Sequence, residues 1–439
     1  MFAVVERQFR HAVYELRGGF LVRPLVIAGV IGSFGIALPL VHDYFPSVDG
    51  WVQHLPVLAP HDPVAAAGVF ASVIGAMMTV VSIVLSVLLV AITLASMQFS
   101  PRILTAFVED RSNQRTIGIF LGTFVYCLFA YPTARSVPPT TPAIAVLGAM
   151  VLALACTVAL VAFIHHIARS INVNFITERI ARETELVIDQ VTPEPRSGGP
   201  VGGGHPTPRF DGPVIRAPRS GYIRYVDAAR LRSIAKGAGL AISLERRVGH
   251  FVAEGVPLLR LSKAKRLGGA DEAAILEAID LGPMRTMEQD VEFGLLQLVD
   301  IALKAISPAV NDPSTAINCI DQLGRLLVRV ASRAPAQAMF FDPPGIVRVV
   351  LPELSFSRLV EVAFEQIVHY GKGDLAVSIR VQRAFADIAA SATDAGVLAT
   401  VRESAARAAA ECIAALPEAG GRAIAARLEA VRAAAPEGD

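Results

Sequence analysis

Charge is missing from four long stretches of this chain. There is no Asp, Glu, Lys or Arg from Leu25 to Leu40, from Val64 to Met97, from Thr116 to Tyr131, or from Ala143 to Ile164. Charged residues make up 18% of the whole, against roughly 25% in an average soluble domain, and they become frequent only after Arg169. Such a split excludes a uniformly water-solvated protein. Close cysteine pairs are missing as well. Cys127, Cys156, Cys319 and Cys412 stand far apart, which argues against a disulfide framework or a zinc site. Lysine is scarce, five against thirty-five arginines, and with abundant Ala, Gly and Pro this is the bias of a high-GC bacterial gene. The formal charge of +1 and isoelectric point near 7.8 supply no basic excess for nucleic acid. Enzyme signatures are absent too. Gly202-Gly203-Gly204 lacks the Gly-Lys-Ser/Thr ending of a phosphate loop, and there is no H-E-x-x-H, C-x-x-C or G-x-S-x-G. No catalytic residue, metal or cofactor is expected.

What is present is apolar length. A helix crosses a bilayer core of roughly 30 Å with about 20 apolar residues, and four stretches qualify: 23–41, 64–97, 116–134 and 142–164. The first is too long for a signal peptide and lacks a small-x-small cleavage site. The second, at 34 residues, runs about 50 Å as a helix, so it must tilt, kink or project. Arginine sets the orientation. Arg7, Arg10, Arg17 and Arg23 precede the first span, Arg102, Arg111 and Arg115 lie between the second and third, and Arg169, Arg179 and Arg182 follow the fourth. The segment His42 to Pro63 has no Lys or Arg, and Arg135 is alone between the last two spans. The positive-inside rule then places both termini in the cytoplasm of a bacterial inner membrane. Tyr44, Phe45 and Trp51 suit the outer interface.

The second span carries a pattern beyond hydropathy. Ser72, Gly75, Thr79, Ser82, Ser86, Thr93 and Ser96 recur in steps of three and four, with Leu89 the large residue that interrupts them. These are seam positions on one helix face. Small residues let membrane helices approach closely, and hydroxyls also suit the wall of a water-filled path in an oligomer. Both readings stay open. No carboxylate or cation sits at mid-membrane depth, which demotes a proton- or sodium-coupled carrier.

Beyond the second span, Ile103, Leu104, Phe107 and Val108 oppose Glu109, Asp110, Arg111 and Arg115, as in a helix lying on the inner surface. Arg102, Arg111 and Arg115 are candidate contacts to lipid headgroups. The vicinal His165 and His166 cannot share a helix face, so they read as interfacial anchors and not as metal ligands. A helix and a Pro/Gly-rich linker fill 171–208. From 209 to 265 short alternating strands suggest a small β-sandwich or barrel. Here "APRSGYI" and "GHFVAEGVPLL" resemble the half-repeats of lipoyl- and biotinyl-like domains, without the lysine that those domains modify. From 270 to 435 the pattern is helical. Ser307-Pro308 stops one helix, and Asp312 with Pro313 starts the next. Asn311 and Asp312, with Arg285, Gln289 and Asp290 upstream, are candidates for a polar site that takes a small ligand or cation.

The fold class is therefore a mainly α membrane protein: about four transmembrane helices in 1–170, then a cytoplasmic α+β region with a β-module and a helical bundle. Two stretches carry a wider likeness, "QFSPRILTAFVEDRSNQRTIGIFLGTFVYCL" and "RTMEQDVEFGLLQLVDIALKAISPAVNDPSTAINCIDQL". Through them the chain resembles the bacterial predicted membrane proteins grouped as domain of unknown function 2254. That resemblance implies the same order of regions along nearly the whole chain and assigns no residue a role. Two function classes remain from the residues: an oligomeric channel for ion transport, gated by its cytoplasmic region, and a membrane-anchored scaffold or sensor that binds a cytoplasmic partner or small ligand. The lipid bilayer and further copies of the chain are the partners that both classes require.

Overall fold

The computed structural model describes residues 22–44, 62–98, 110–132, 143–170, 172–192, 208–263, 268–343 and 345–434. They fall into two compact units, the first ending at Asn172 and the second beginning at Val173. The surface stretch expected from Ile103 to Val108, with Arg102, lies outside the described residues, as do Phe45, Trp51 and most of the linker. Side chains are described in the second long helix only as far as Leu94, so Ser96 is placed by its backbone alone.

Among the described residues, four helices build the first unit: α1 (Val22–Tyr44), α2 (Pro63–Gln98), α3 (Arg111–Ala130) and α4 (Ala143–Ser170). Three of them, α1, α2 and α4, are long and apolar enough to cross a membrane. The helix expected as the third span, α3, is not among those three. Arg111, Asn113, Gln114 and Arg115 make its start polar, and the other three helices all pack on it. Phe120, Tyr126, Cys127 and Ala130 on α3 are buried. A helix enclosed by its neighbours has little need of an apolar outer face, which accounts for its lower hydropathy.

Glycine explains how α1 and α3 come so close. A Cβ added at Gly118 would stand 2.9 Å from Ile27 Cβ, and one at Gly122 would stand 2.8 Å from Ile31 Cβ. Gly32 and Gly35 on α1 are blocked in the same way by Val125 and by the Tyr126 backbone. Gly118-x-x-x-Gly122 thus forms a seam of the kind that lets membrane helices touch backbone to backbone. The pairings 118 with 27, 122 with 31 and 126 with 35 rise together, so α1 and α3 run parallel. Tyr126 donates to the Ala145 carbonyl at 2.7 Å, and Asp110 meets His166; α4 therefore runs antiparallel to α3.

In the second unit, α5 (Val173–Val191) leads into β1 (Val214–Arg216), β2 (Gly221–Val226), α6 (Ala228–Ala238), β3 (Ile242–Leu244), β4 (Phe251–Val252) and β5 (Pro257–Leu261). After these come α7 (Gly269–Glu277), β6 (Ile279–Gly282), α8 (Val291–Ile306), α9 (Pro313–Ala331), β7 (Met339–Asp342) and β8 (Ile346–Val350). The chain closes with α10 (Phe356–Gly371), α11 (Leu375–Ala390), α12 (Ala395–Ala415) and α13 (Glu418–Ala433). A five-stranded sheet has the order β1-β5-β3-β8-β7, and a three-stranded sheet the order β4-β2-β6. The β-module is thus not confined to 209–265. It borrows β6, β7 and β8 from the stretch read as wholly helical, and β3 pairs with β8 in parallel. Ile223, Leu231, Ile242, Leu258, Ile275 and Val349 close its core.

The helix expected beside the linker, α5, packs on α8 and α9 within the helical part of this unit. It lies parallel to α9 and is tied to it by charge. Arg325 reaches Glu178 at 3.0 Å and Glu185 at 2.7 Å, and Arg329 grips Asp189 through two contacts of 2.7 and 2.6 Å. Those arginines stand four residues apart on one helix face. The apolar side of α9 buries Leu323, Leu326 and Leu327, each worth roughly 1.5–3 kcal/mol when removed from water.

Candidate functional site

The hydroxyl stripe of α2 faces away from the other described helices of its unit. Ala66, Phe70, Met77, Val84, Leu88 and Ala91 are the buried side chains among those described in the helix. With 3.6 residues per turn, the centre of that face lies about 170° from the centre of the stripe. Ser72, Gly75, Thr79, Ser82, Ser86 and Thr93 are all exposed, and Leu89, the interruption, is 67% exposed. Among the described residues, nothing lies within 4 Å of a Cβ added at Gly75. Each placed hydroxyl from Thr79 onward bonds back to the carbonyl four residues earlier: Thr79 to Gly75 at 3.2 Å, Ser82 to Met78 at 3.0 Å, Ser86 to Ser82 at 2.8 Å and Thr93 to Leu89 at 2.8 Å. The donors are satisfied internally, while the oxygens can still accept from water or from another helix. A close-packing seam inside the unit is formed by glycines of α1 and α3, and its signal in the sequence is Gly118-x-x-x-Gly122.

At the start of α3, Asp110 caps the helix through the Ser112 and Asn113 amides at 2.7 and 3.3 Å. His166 of α4 approaches the same carboxylate at 3.2 Å, and the Ser170 hydroxyl lies 3.5 Å from the ring. His166 is therefore engaged within the unit, whereas its neighbour His165 points outward. Arg111 and Arg115 are exposed on the first turns of α3.

In the second unit the residues suspected of one polar site are divided between the two ends of α8. Asp290 is buried and accepts from Arg285 Nε and Nη2 at 2.7 and 2.8 Å, and it caps α8 through the Phe293 amide at 3.0 Å. Burial lifts its carboxyl above the ordinary range against the pull of Arg285. Gln289 acts as an extra strand residue: its Oε1 accepts from the Val226 amide and its Nε2 donates to the Val226 carbonyl. Asn311 and Asp312 follow the other end of α8, and a helix of 16 residues separates the two groups by about 24 Å. Asn311 has a left-handed backbone, φ 50°. Asp312 accepts from the Thr315 amide at 3.2 Å and hydroxyl at 2.6 Å, and these bonds hold its carboxyl below the usual range. That corner is a helix cap.

Around Asp290 the structure assembles residues that sequence reasoning missed. Glu292, buried in the first turn of α8, accepts from Arg247 at 2.9 Å and from Arg358 at 3.0 Å. Arg247 also lies 3.2 Å from His250 Nε2, and burial, then Arg247, push the imidazole below its ordinary pKa. Gly249, at φ 86°, presses its backbone against Asp290 and Arg285. Three arginines and two carboxylates thus pin the β-module to α8 and α10. The available signal was Glu292, a charge on the buried side of an apolar helix. Both carboxylates here are engaged by guanidiniums.

Comparison with known proteins bears on the whole chain. It matches the family described as Predicted membrane protein (DUF2254) over residues 17–387. The uncharacterized protein Mb1321c of Mycobacterium bovis is 32% identical over 376 residues, which cover 83% of this chain and 72% of that protein. The uncharacterized protein Rv1290c of Mycobacterium tuberculosis matches with the same identity and coverage. No solved structure matches. With the family matched across most of its length and relatives at this identity, the chain belongs to the DUF2254 predicted membrane proteins.

Proposed function

We propose that the protein is an oligomeric pore of the bacterial inner membrane, non-enzymatic, in which copies of α2 surround a polar path for ions. The observation that supports this is the direction of the hydroxyl stripe, opposite the face that α2 buries in its own unit. In a bilayer an outward polar face is matched better by water or another protein surface than by lipid tails. In this reading α3 crosses as well, giving four spans. It runs parallel to α1 and antiparallel to α4, as alternating spans would. Both termini and the second unit then face the cytoplasm, where arginine is concentrated, and the second unit is the natural gate.

The experiment is ion flux into liposomes that hold the purified protein. Ser82→Leu or Ser86→Leu blocks a wet path by bulk and dewetting, and Ser→Ala at the same sites disturbs flux only mildly. A second reading, a membrane-anchored scaffold, draws on the back-bonded hydroxyls, which let the stripe pack dry against a second copy. In that case Leu breaks assembly by overpacking and the wild type has no flux to lose. Silence of a well-assembled wild type across voltage, osmotic load and pH rejects the pore and promotes the scaffold.

A further inference from the structure

A cavity of about 310 Å³ opens in the second unit, apart from the ion-pair cluster and from every residue used above for conduction. The ends of α5 and α9 and the first turns of α10 and α12 form its walls, with Val191, Val330, Phe356 and Val397 supplying apolar surface.

One cation stands in this apolar wall. Arg333 has a side chain only 14% exposed, donates to the Thr192 carbonyl at 3.2 Å and meets Asp189 at 2.8 Å. A guanidinium carries five N–H donors, so these contacts do not exhaust it. Asp189 is also gripped by both Nε and Nη2 of Arg329, and that bonding holds its carboxyl below the ordinary range. Two guanidiniums therefore share Asp189, while Arg325, one turn before Arg329 on α9, holds both Glu178 and Glu185. The ion pairs balance, and the spare N–H donors of Arg333 are what the wall offers an anion. The first turn of α10, with Ser357 on the wall, adds the positive end of a helix dipole. Two acids also border the space. Asp394 is engaged as the cap of α12 through the Gly396 and Val397 amides, and Glu353 is exposed to water, where its charge is screened.

We propose that this cavity binds a small amphipathic carboxylate, its apolar body against the valines and its acid head on Arg333. An amine in the same place would meet the guanidinium. The proposal goes beyond the pore reading and stands whether or not the first unit conducts.

The probe is 4-phenylbutyrate, with 4-phenylbutan-1-ol and 4-phenylbutylamine as neutral and cationic counterparts. Each is measured by equilibrium dialysis against the full chain in lipid nanodiscs, with uptake by empty nanodiscs subtracted. The expected result is saturable binding of one equivalent of the acid, about tenfold or more tighter than either counterpart, as a charge-assisted hydrogen bond implies. Val330→Trp and Ser357→Trp enter from different walls and should each weaken the acid about tenfold or more, with the melting temperature kept. Arg333→Met, in which Arg329 still holds Asp189, should bring acid and alcohol to equal affinity, and Arg333→Lys should restore part of the preference. Non-saturable uptake, or equal binding of the three probes by the wild type, overturns the proposal. Unchanged binding by a folded Trp variant overturns it too, because the acid then sits elsewhere.

Discussion

Asn311 and Asp312 make the corner between α8 and α9 by two separate physical means, and each can be measured. Asp312 accepts two bonds from Thr315, so Asp312→Ala should cost about 0.5–2 kcal/mol by loss of the cap. Asp312→Asn should keep most of that stability in a thermal melt. Asn311 occupies the left-handed region, where a β-branched side chain is strained. Asn311→Gly should be neutral or slightly stabilising, and Asn311→Val should cost about 1–2 kcal/mol. His250 gives a prediction in pH. Its folded pKa lies below the unfolded value, so the unfolded chain binds the proton more readily. Its stability contribution is present above about pH 6.5 and is lost as the pH falls through the depressed folded value. Melting temperatures of wild type and His250→Asn, compared from pH 8 to pH 5, should show a steeper acid decline in the wild type. Parallel curves would remove His250 from the account.

Among the elements, the glycines of α1 and α3 and the stripe of α2 make opposite demands on bulk. Gly122→Leu drives a side chain into Ile31, and overpacking of this kind costs about 1–3 kcal/mol or more. It should lower the melting temperature of the solubilised chain and its yield. Gly75→Leu meets open space among the described residues and should leave the melting temperature of a dilute, dissociated sample unchanged while altering assembly in membranes. The contrast also shows what the sequence made legible. Hydropathy found the four described helices of the first unit, and Asp312-Pro313 marked the start of α9 to the residue. Periodicity identified the stripe but could not say which way it faced, because orientation depends on what buries the opposite side of α2. β6, β7 and β8 escaped because each is five residues or shorter, set among strong helices, and gains its stability from pairing with distant strands. The pairing of Glu292 with Arg247 and Arg358 spans 45 and 66 positions. No local pattern carries it.

For the whole molecule, the account rests on topology and on what touches the outward face of α2. The proposed topology is argued from arginine placement. Single cysteines at Ser47, Ser112 and Gly203, probed on intact cells with an impermeant thiol reagent, should label at 47 alone. Labelling at 112 or 203 and not at 47 inverts the arrangement. The pore itself is tested most directly by the wetness of the stripe. The four native cysteines are buried and can be replaced by alanine. New single cysteines are then placed at Thr79, Ser82 and Ser86 on the stripe, and at Ile83 and Leu85, which are exposed on its two flanks. A charged, water-soluble thiol reagent is applied to the protein in liposomes. The account predicts fast reaction at 79, 82 and 86 and little at 83 and 85. Stripe positions as unreactive as their flanks would contradict it, because α2 would then meet lipid or a dry partner and no water-filled path.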